Sequence, residues 1–365
     1  MKDNKFLVKK DFLETYSKHL QNRHKKYKRA IRLRKKNVTT KNISKKLKIS
    51  RYSIYEWFSK NRGSKPIVTK SIEKVKKRDY LSIKINSKNA EHLAYLVGYS
   101  MGDGNISRDH VRCWFYGHPK DLKRINLDMI KNFGVEGTIY TYKPNNAKMA
   151  VHDTVFTRLL IACKAPVGDK TDTNLSIPYW IKNSETAGIL KVKFLQGLFD
   201  SELSKIQKID CKKFAFQSLT FYTVKTDKFV ESGFAYLNEI RSILSEFNIS
   251  TSKPCKDRTY VRTRDNNKMT QIYFIIHSNH INLYIFLNKI GFLYNHKRKN
   301  SGLKFFKDIK KSALKEMDKI KKYPKVISLR KKGLSAYKIS KEVNLPAYNI
   351  KAWCYRNMKP RLMRD

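Results

Sequence analysis

The sequence predicts an α+β core made of two like halves, flanked at each end by a small all-α module. Three observations lead there. A stretch near the start of the chain recurs near its end. Between these stretches, strand-like and helix-like segments alternate in an order that occurs twice. Each of those two runs opens on an apolar helix carrying small residues, and the two helices align in register.

The terminal modules are assigned to residues 1–62 and 326–365. Residues 30–61, AIRLRKKNVTTKNISKKLKISRYSIYEWFSKN, align without a gap on 326–357, VISLRKKGLSAYKISKEVNLPAYNIKAWCYRN, with 12 of 32 positions identical. Each copy reads as a first helix ending near Asn37 or Gly333, a second carrying Ile43, Ser44 and Leu47 or Ile339, Ser340 and Val343, and a third after a short turn. That is helix-turn-helix spacing. Ser50 or Pro346 opens the third helix, and Ile54 with Trp57, or Ile350 with Trp353, gives it a buried face. The other faces are left for a ligand. On the first copy they present Arg51, Tyr52, Tyr55, Lys60 and Arg62, and on the second Tyr348, Asn349, Lys351 and Arg356. Arg, Asn and Lys can read purine edges in the major groove while other lysines hold phosphates.

Composition supports a polyanionic partner. Of 365 residues, 79 are Lys or Arg and 30 are Asp or Glu, a formal charge of +49. Such a surface repels itself unless neutralised, and nucleic acid is the partner it fits best. With 41% hydrophobic residues the chain can bury a core, which excludes general disorder. The five cysteines, Cys113, Cys163, Cys211, Cys255 and Cys354, form neither a CxxC pair nor a dense framework. They predict a reducing intracellular compartment, either cytoplasm or nucleoid or an organelle matrix. No apolar run approaches a membrane span, so no membrane partner is expected. No self-splicing signature marks the two ends, which predicts a free-standing protein.

Residues 63–90 and 306–325 read as connectors to the core. Its halves are 91–190 and 191–305. Strand signals are HVRCWFYG, GTIYTYK, KFAFQSLTFYT and QIYFIIH, and amphipathic helices are DLKRINLDMIKNFG, TVFTRLLIACKA, FAYLNEIRSILSEFN and HINLYIFLNKIGF. Phosphate loops, HxxxH-type metal helices and nucleophile elbows are absent, and His277 with His280 reads as a strand-end pair without a metal.

The chemistry falls at two helix ends. HLAYLVGYSMGDGNI begins at His92 and VKFLQGLFDSELSKI at Val192; placing Gly98 on Gly197 puts Asp103 and Glu202 in register, 99 residues apart. Small residues let two helix backbones approach closely, which would bring both terminal carboxylates to one floor. Paired carboxylates beside a phosphate backbone can hold Mg²⁺ or Mn²⁺ for phosphodiester hydrolysis.

LVGYSMGDG and LQGLFDSEL resemble the two motifs of a single-chain LAGLIDADG homing endonuclease, and the resemblance covers about residues 90–305. It implies two pseudo-symmetric αββαββα repeats forming a saddle on duplex DNA, with the motif helices at the central interface. It also implies that Asp103 and Glu202 are metal-binding catalytic carboxylates, with Gly102 and Ser201 beside them at the metal. Lys205 fits a place where the family keeps basic residues around the metal, and His118 and Lys225 are looser candidates for the same role. Leu203 departs from the motif, where a glycine is usual. The function expected is site-specific double-strand cleavage, linked to intron mobility, by a monomer that binds double-stranded DNA. Two other readings on the same scaffold are a maturase binding structured intron RNA and a DNA-binding regulator that does not cut.

Overall fold

The computed structural model describes residues 9–59, 64–183, 187–209, 215–356 and 358–360. The chain begins with α1 (Lys9–Glu14), α2 (Lys18–Lys35), α3 (Thr40–Leu47), α4 (Arg51–Phe58) and α5 (Ile67–Lys77). The first half follows as α6 (Lys88–Met101), β1 (Gly104–Ile106), β2 (Cys113–Gly117), α7 (Pro119–Phe133), β3 (Thr138–Lys143), β4 (Asn146–Val151) and α8 (Thr154–Ala162). The short α9 (Tyr179–Lys182) leads into the second half, α10 (Ala187–Glu202), β5 (Leu219–Thr226), α11 (Val230–Glu246), β6 (Cys255–Val261), β7 (Lys268–Ile276) and α12 (His280–Lys289). The chain ends in α13 (His296–Lys331), α14 (Ala336–Val343) and α15 (Ala347–Tyr355). This is the α+β class the sequence predicts.

Each half contributes an antiparallel sheet, ordered β1-β2-β4-β3 in the first and β5-β7-β6 in the second. The orders match once β5, β7 and β6 are set on β2, β4 and β3. A counterpart of β1 survives as backbone pairing: Ser204 N–H donates to Thr220 O at 3.1 Å, Gln217 N–H to Gln207 O at 2.9 Å, and Lys208 bridges Phe216. The helices α6 and α10 are apolar on nearly every side, because they pass between the halves. A Cβ built on Gly98 would come within 3.0 Å of the Phe194 carbonyl carbon, and one on Gly197 within 2.9 Å of that of Tyr95. Phe194 and Tyr95 are themselves 99 residues apart, like Gly98 and Gly197, so the contact is reciprocal.

The terminal modules repeat at a spacing of 296 residues, atom for atom in places. Thr39 and Ser335 cap their helices, and Lys48 (φ 50°) and Asn344 (φ 49°) close them in the left-handed region. Ser44 Oγ donates to Ile49 O at 2.6 Å and Ser340 Oγ to Leu345 O at 2.5 Å. Tyr27 meets Trp57 edge-on at 5.4 Å, as Tyr323 meets Trp353 at 5.3 Å. Each module encloses its own small core, separate from the central one.

The segments between modules and core are more structured than tethers. Phe12 and Tyr16 on the N-terminal side, and Val68, Ile72, Val75, Tyr80 and Ile83 in the stretch 63–90, are buried in the central core. Residues 306–325 lie inside α13, which runs unbroken from the core into the C-terminal module with Pro324 within it. Among the described residues no helix is long and apolar enough to cross a membrane. Cys113, Cys163, Cys255 and Cys354 are free thiols, and Cys211 lies outside the described residues.

Candidate active site between two helix ends

The close approach of α6 and α10 brings their C-terminal ends side by side. A Cβ on Gly102 would fall against Ser201 and 2.9 Å from Cγ of Glu202. Asp103 follows directly, so the two carboxylates share one floor. Both are half-buried. Burial raises the pKa of Asp103. Burial first, and then the charge of Asp103, push Glu202 up to about 7. Two carboxylates that hinder each other's ionisation in a partly desolvated cleft are a common feature of sites that hold cations.

Two cations temper this repulsion, and neither was singled out from sequence. Lys170 and Arg298 both lower the pKa of Asp103 and of Glu202. Lys170 Nζ donates to Gly104 O at 2.9 Å, and burial lowers its own pKa. Arg298, in the first turn of α13, donates to Ser201 O at 3.0 Å and to Asp200 O. Lys170 sits in the loop before α9, where nothing periodic marks it. Arg298 sits in a run of basic residues, HKRKN, that reads as a solvated face.

The other sequence candidates separate around this floor. Lys205 is exposed, three residues beyond Glu202. Lys225 is fully buried on β5, and its Nζ donates to Lys170 O at 2.6 Å and Thr173 O at 2.7 Å. It therefore holds the loop carrying Lys170, while burial and the Lys170 charge bring its pKa down to about 8. His118 caps α7 by accepting from Lys120 N–H at 3.2 Å. Ser201 is buried, with its hydroxyl on Leu198 O at 2.7 Å. Asp200, also within the second motif, turns away from the floor: its carboxylate accepts from Tyr95 Oη at 2.9 Å, Leu293 N at 3.1 Å and Tyr294 N at 2.7 Å. Burial outweighs these bonds and raises its pKa to about 7. Leu203 is buried in the central core, and its N–H continues the helix to Phe199 O at 3.2 Å.

Two kinds of surface surround the floor. The sheets expose aromatic and basic side chains together. On the first, Lys148 lies over Tyr140 and Tyr142 at 5.7 and 5.6 Å, and on the second Arg258 lies over Tyr260 at 6.0 Å. On the terminal modules Arg51, Tyr52, Tyr55, Tyr348, Lys351 and Arg356 are exposed. Asn349 is half-buried in the cleft between α13 and α15, where its Nδ2 finds no partner among the described residues. Lys60 and Arg62 lie outside the described residues.

No protein-family model matches the chain. It is 29% identical over 248 residues to the DNA-directed RNA polymerase subunit Rpo1N of Methanocaldococcus jannaschii, covering 63% of this chain and 18% of that one. It is 26% identical over 288 residues to the tRNA-splicing ligase RtcB of Pyrococcus furiosus, covering 71% of this chain and 27% of that one. The chain thus spans about a fifth to a quarter of the length of these curated relatives. Among solved structures it is similar to full-length DUF199/WhiA from Thermatoga maritima, with a TM-score of 0.35, 16% identity, and coverage of 78% of this chain and 95% of that one. It is also similar to the homing endonuclease I-DmoI in complex with DNA and Mn, with a TM-score of 0.32, 12% identity, and coverage of 56% and 97%.

Proposed function

We propose that the chain is a LAGLIDADG-type, metal-dependent endonuclease that cuts both strands of duplex DNA at a long site. The observation that carries this reading is the floor itself, where glycine-mediated contact between α6 and α10 seats Asp103 and Glu202 together. The donor set suits a hard divalent cation, since two carboxylates that resist joint ionisation supply oxygen ligands and an excess of negative charge. Asp103 and Glu202 would hold Mg²⁺ or Mn²⁺, with Gly102 and Ser201 beside it. The ion would supply Lewis acidity and an activated water for phosphodiester hydrolysis.

The chain's own groups do the rest. Lys170, held by Gly104 O with its loop pinned by Lys225, sets its Nζ at the floor where negative charge grows on the phosphate. Arg298 fixes the carbonyls that end α10 and so the stem from which Glu202 projects. Lys205 at the rim and the basic, aromatic sheet faces hold the DNA backbone and bases, and the terminal modules extend the footprint through Arg51, Tyr52, Tyr55, Tyr348, Lys351 and Arg356. Binding then weakens steeply with salt, by about 0.9 in log-log slope for each phosphate neutralised.

The test is cleavage of a randomised duplex library by purified protein with Mg²⁺ or Mn²⁺ against EDTA, with Asp103→Asn, Glu202→Gln as control. Discrete double-strand cuts that need metal and vanish in the variant are expected, with DNA binding retained. Tight binding to duplex without cuts under any divalent metal would replace the enzyme with a regulator. Preference for structured RNA at equal salt would replace it with a maturase.

A further inference from the structure

Where the starts of α7 and α13 meet, three side chains converge that this function does not use. We propose that His118, Asp121 and His296 form a second metal site, selective for a nitrogen-preferring divalent ion such as Zn²⁺. Each offers one donor atom, and the three atoms lie within 4.8 Å of one another. They join two distant parts of the chain: His118 caps α7 and Asp121 lies in its first turn, while His296 opens α13. The Asp121 side chain is buried, with Oδ1 2.8 Å from His296 Nδ1 and 3.1 Å from its backbone N. The two imidazoles meet edge-on, with centroids 4.2 Å apart at 65°. Burial and then the neighbouring His296 lower the pKa of His118, and a metal ion on its Nε2 would displace the 3.2 Å contact with Asn145 Oδ1.

Two imidazoles, one carboxylate and an outer position open to water make the donor set of a tetrahedral zinc site, and imidazole nitrogen favours Zn²⁺ over Mg²⁺. At metal–ligand lengths of about 2.1 Å, donors in such a site stand about 3.4 Å apart, so closing from the present spread takes roughly an ångström of side-chain movement. The ion would take the place of the 2.8 Å hydrogen bond between His296 Nδ1 and Asp121 Oδ1, tying the start of α13 to α7. Two residues further on, Arg298 grips the carbonyls beneath Glu202. Occupancy would therefore stiffen both the support of the catalytic floor and the root of the helix that carries the C-terminal module.

The experiment uses the 365-residue chain carrying Asp103→Asn and Glu202→Gln, which silences the other carboxylate pair, and Cys255→Ser, which removes the exposed thiol among the described residues. The metal-stripped protein is titrated with Zn²⁺ against a chromogenic chelator, and Co²⁺ is used as a spectroscopic probe. One bound equivalent is expected, with the visible d–d bands of tetrahedral cobalt and a rise in Tm. His118→Gln and His296→Gln should each weaken binding roughly tenfold or more and abolish the bands. His296→Gln also removes the Asp121 hydrogen bond, so His118→Gln, confirmed as folded by circular dichroism, is the deciding variant. No bound equivalent, or one that His118→Gln leaves unchanged, overturns the site and leaves a His–Asp latch between α7 and α13. Neither result depends on whether the protein cuts DNA.

Discussion

The two halves of the core are alike where their backbones touch and unlike where their motif helices end. Gly98 meets Phe194 as Gly197 meets Tyr95, a reciprocity that survives because any side chain at either glycine would strike backbone. At the ends, α6 stops at Met101, Gly102 turns the chain with ψ −104°, and Asp103 O accepts from Tyr116 N–H at 2.9 Å. In the second half the helix runs on through Glu202, and Leu203 N–H still reaches Phe199 O. A longer carboxylate thus projects from a longer helix to the same floor. Packing constrains the interface residue by residue, whereas the floor needs only that two carboxylates arrive, which different backbones can satisfy.

Forcing the halves to be alike should therefore fail most severely at Leu203. Replacing it with glycine gives the second motif the first motif's ending, yet Leu203 is buried while a Cβ on Gly104 would sit 3.3 Å from Ser100 Cβ. Leu203→Gly should lose about 4 kcal/mol, as for a large-to-small core change, read as a lower urea midpoint. A neutral result would mean that Leu203 is dispensable to the core. The next largest effect tests the symmetry itself. Gly98→Val and Gly197→Val should each cost about 3 kcal/mol, the upper end for overpacking, and by similar amounts. A cost confined to one of them would show that the helix contact is not reciprocal.

Sequence carried the interface further than the floor. Glycine spacing marked the close approach, because only residues without a side chain permit it. The strands β2, β3, β5 and β7 showed β-branched and aromatic runs, but β6, CKDRTYV, is exposed along its whole length and shows no alternation, and β1 has three residues. Lys170 and Arg298 were hidden for a different reason. Their roles arise from distance in space, and in a chain with 79 Lys and Arg no composition signal separates a buried cation from a solvated one. Leu203 reads in sequence as a gap in the motif, while its burial shows a core residue.

A smaller effect should distinguish the two carboxylates by pH in the metal-free protein. The unfolded chain gives up the Glu202 proton near 4.5, and the folded chain keeps it to about 7. The folded state then binds more protons between those values, so this group's stabilisation is full below 4.5 and is lost as pH rises through 7. Glu202→Gln should match the parent near pH 4.5 and melt a few degrees higher at pH 8. Asp103, also raised, should give Asp103→Asn the same sign. Asp200 is present in both variants and cancels in the comparison. A variant less stable than the parent at pH 8 would mean that the Glu202 charge is already compensated by Lys170 and Arg298.

The smallest effect sharpens the same contrast at the chain ends. Ser44 and Ser340 make equivalent bonds across the turns of their modules, so Ser44→Ala and Ser340→Ala should each cost about 1 kcal/mol locally. The modules differ in how they join the core: the first helix of the C-terminal one is the end of α13, whereas α2 begins at its own Ser17 cap. Amide hydrogen exchange in α3 and α4, against α14 and α15, separates local from shared support. If each module is held by its own small core, the two variants lose protection equally. If α13 lends stability from the core, Ser340→Ala loses less than Ser44→Ala, and the repeated modules differ in stability though they agree in geometry.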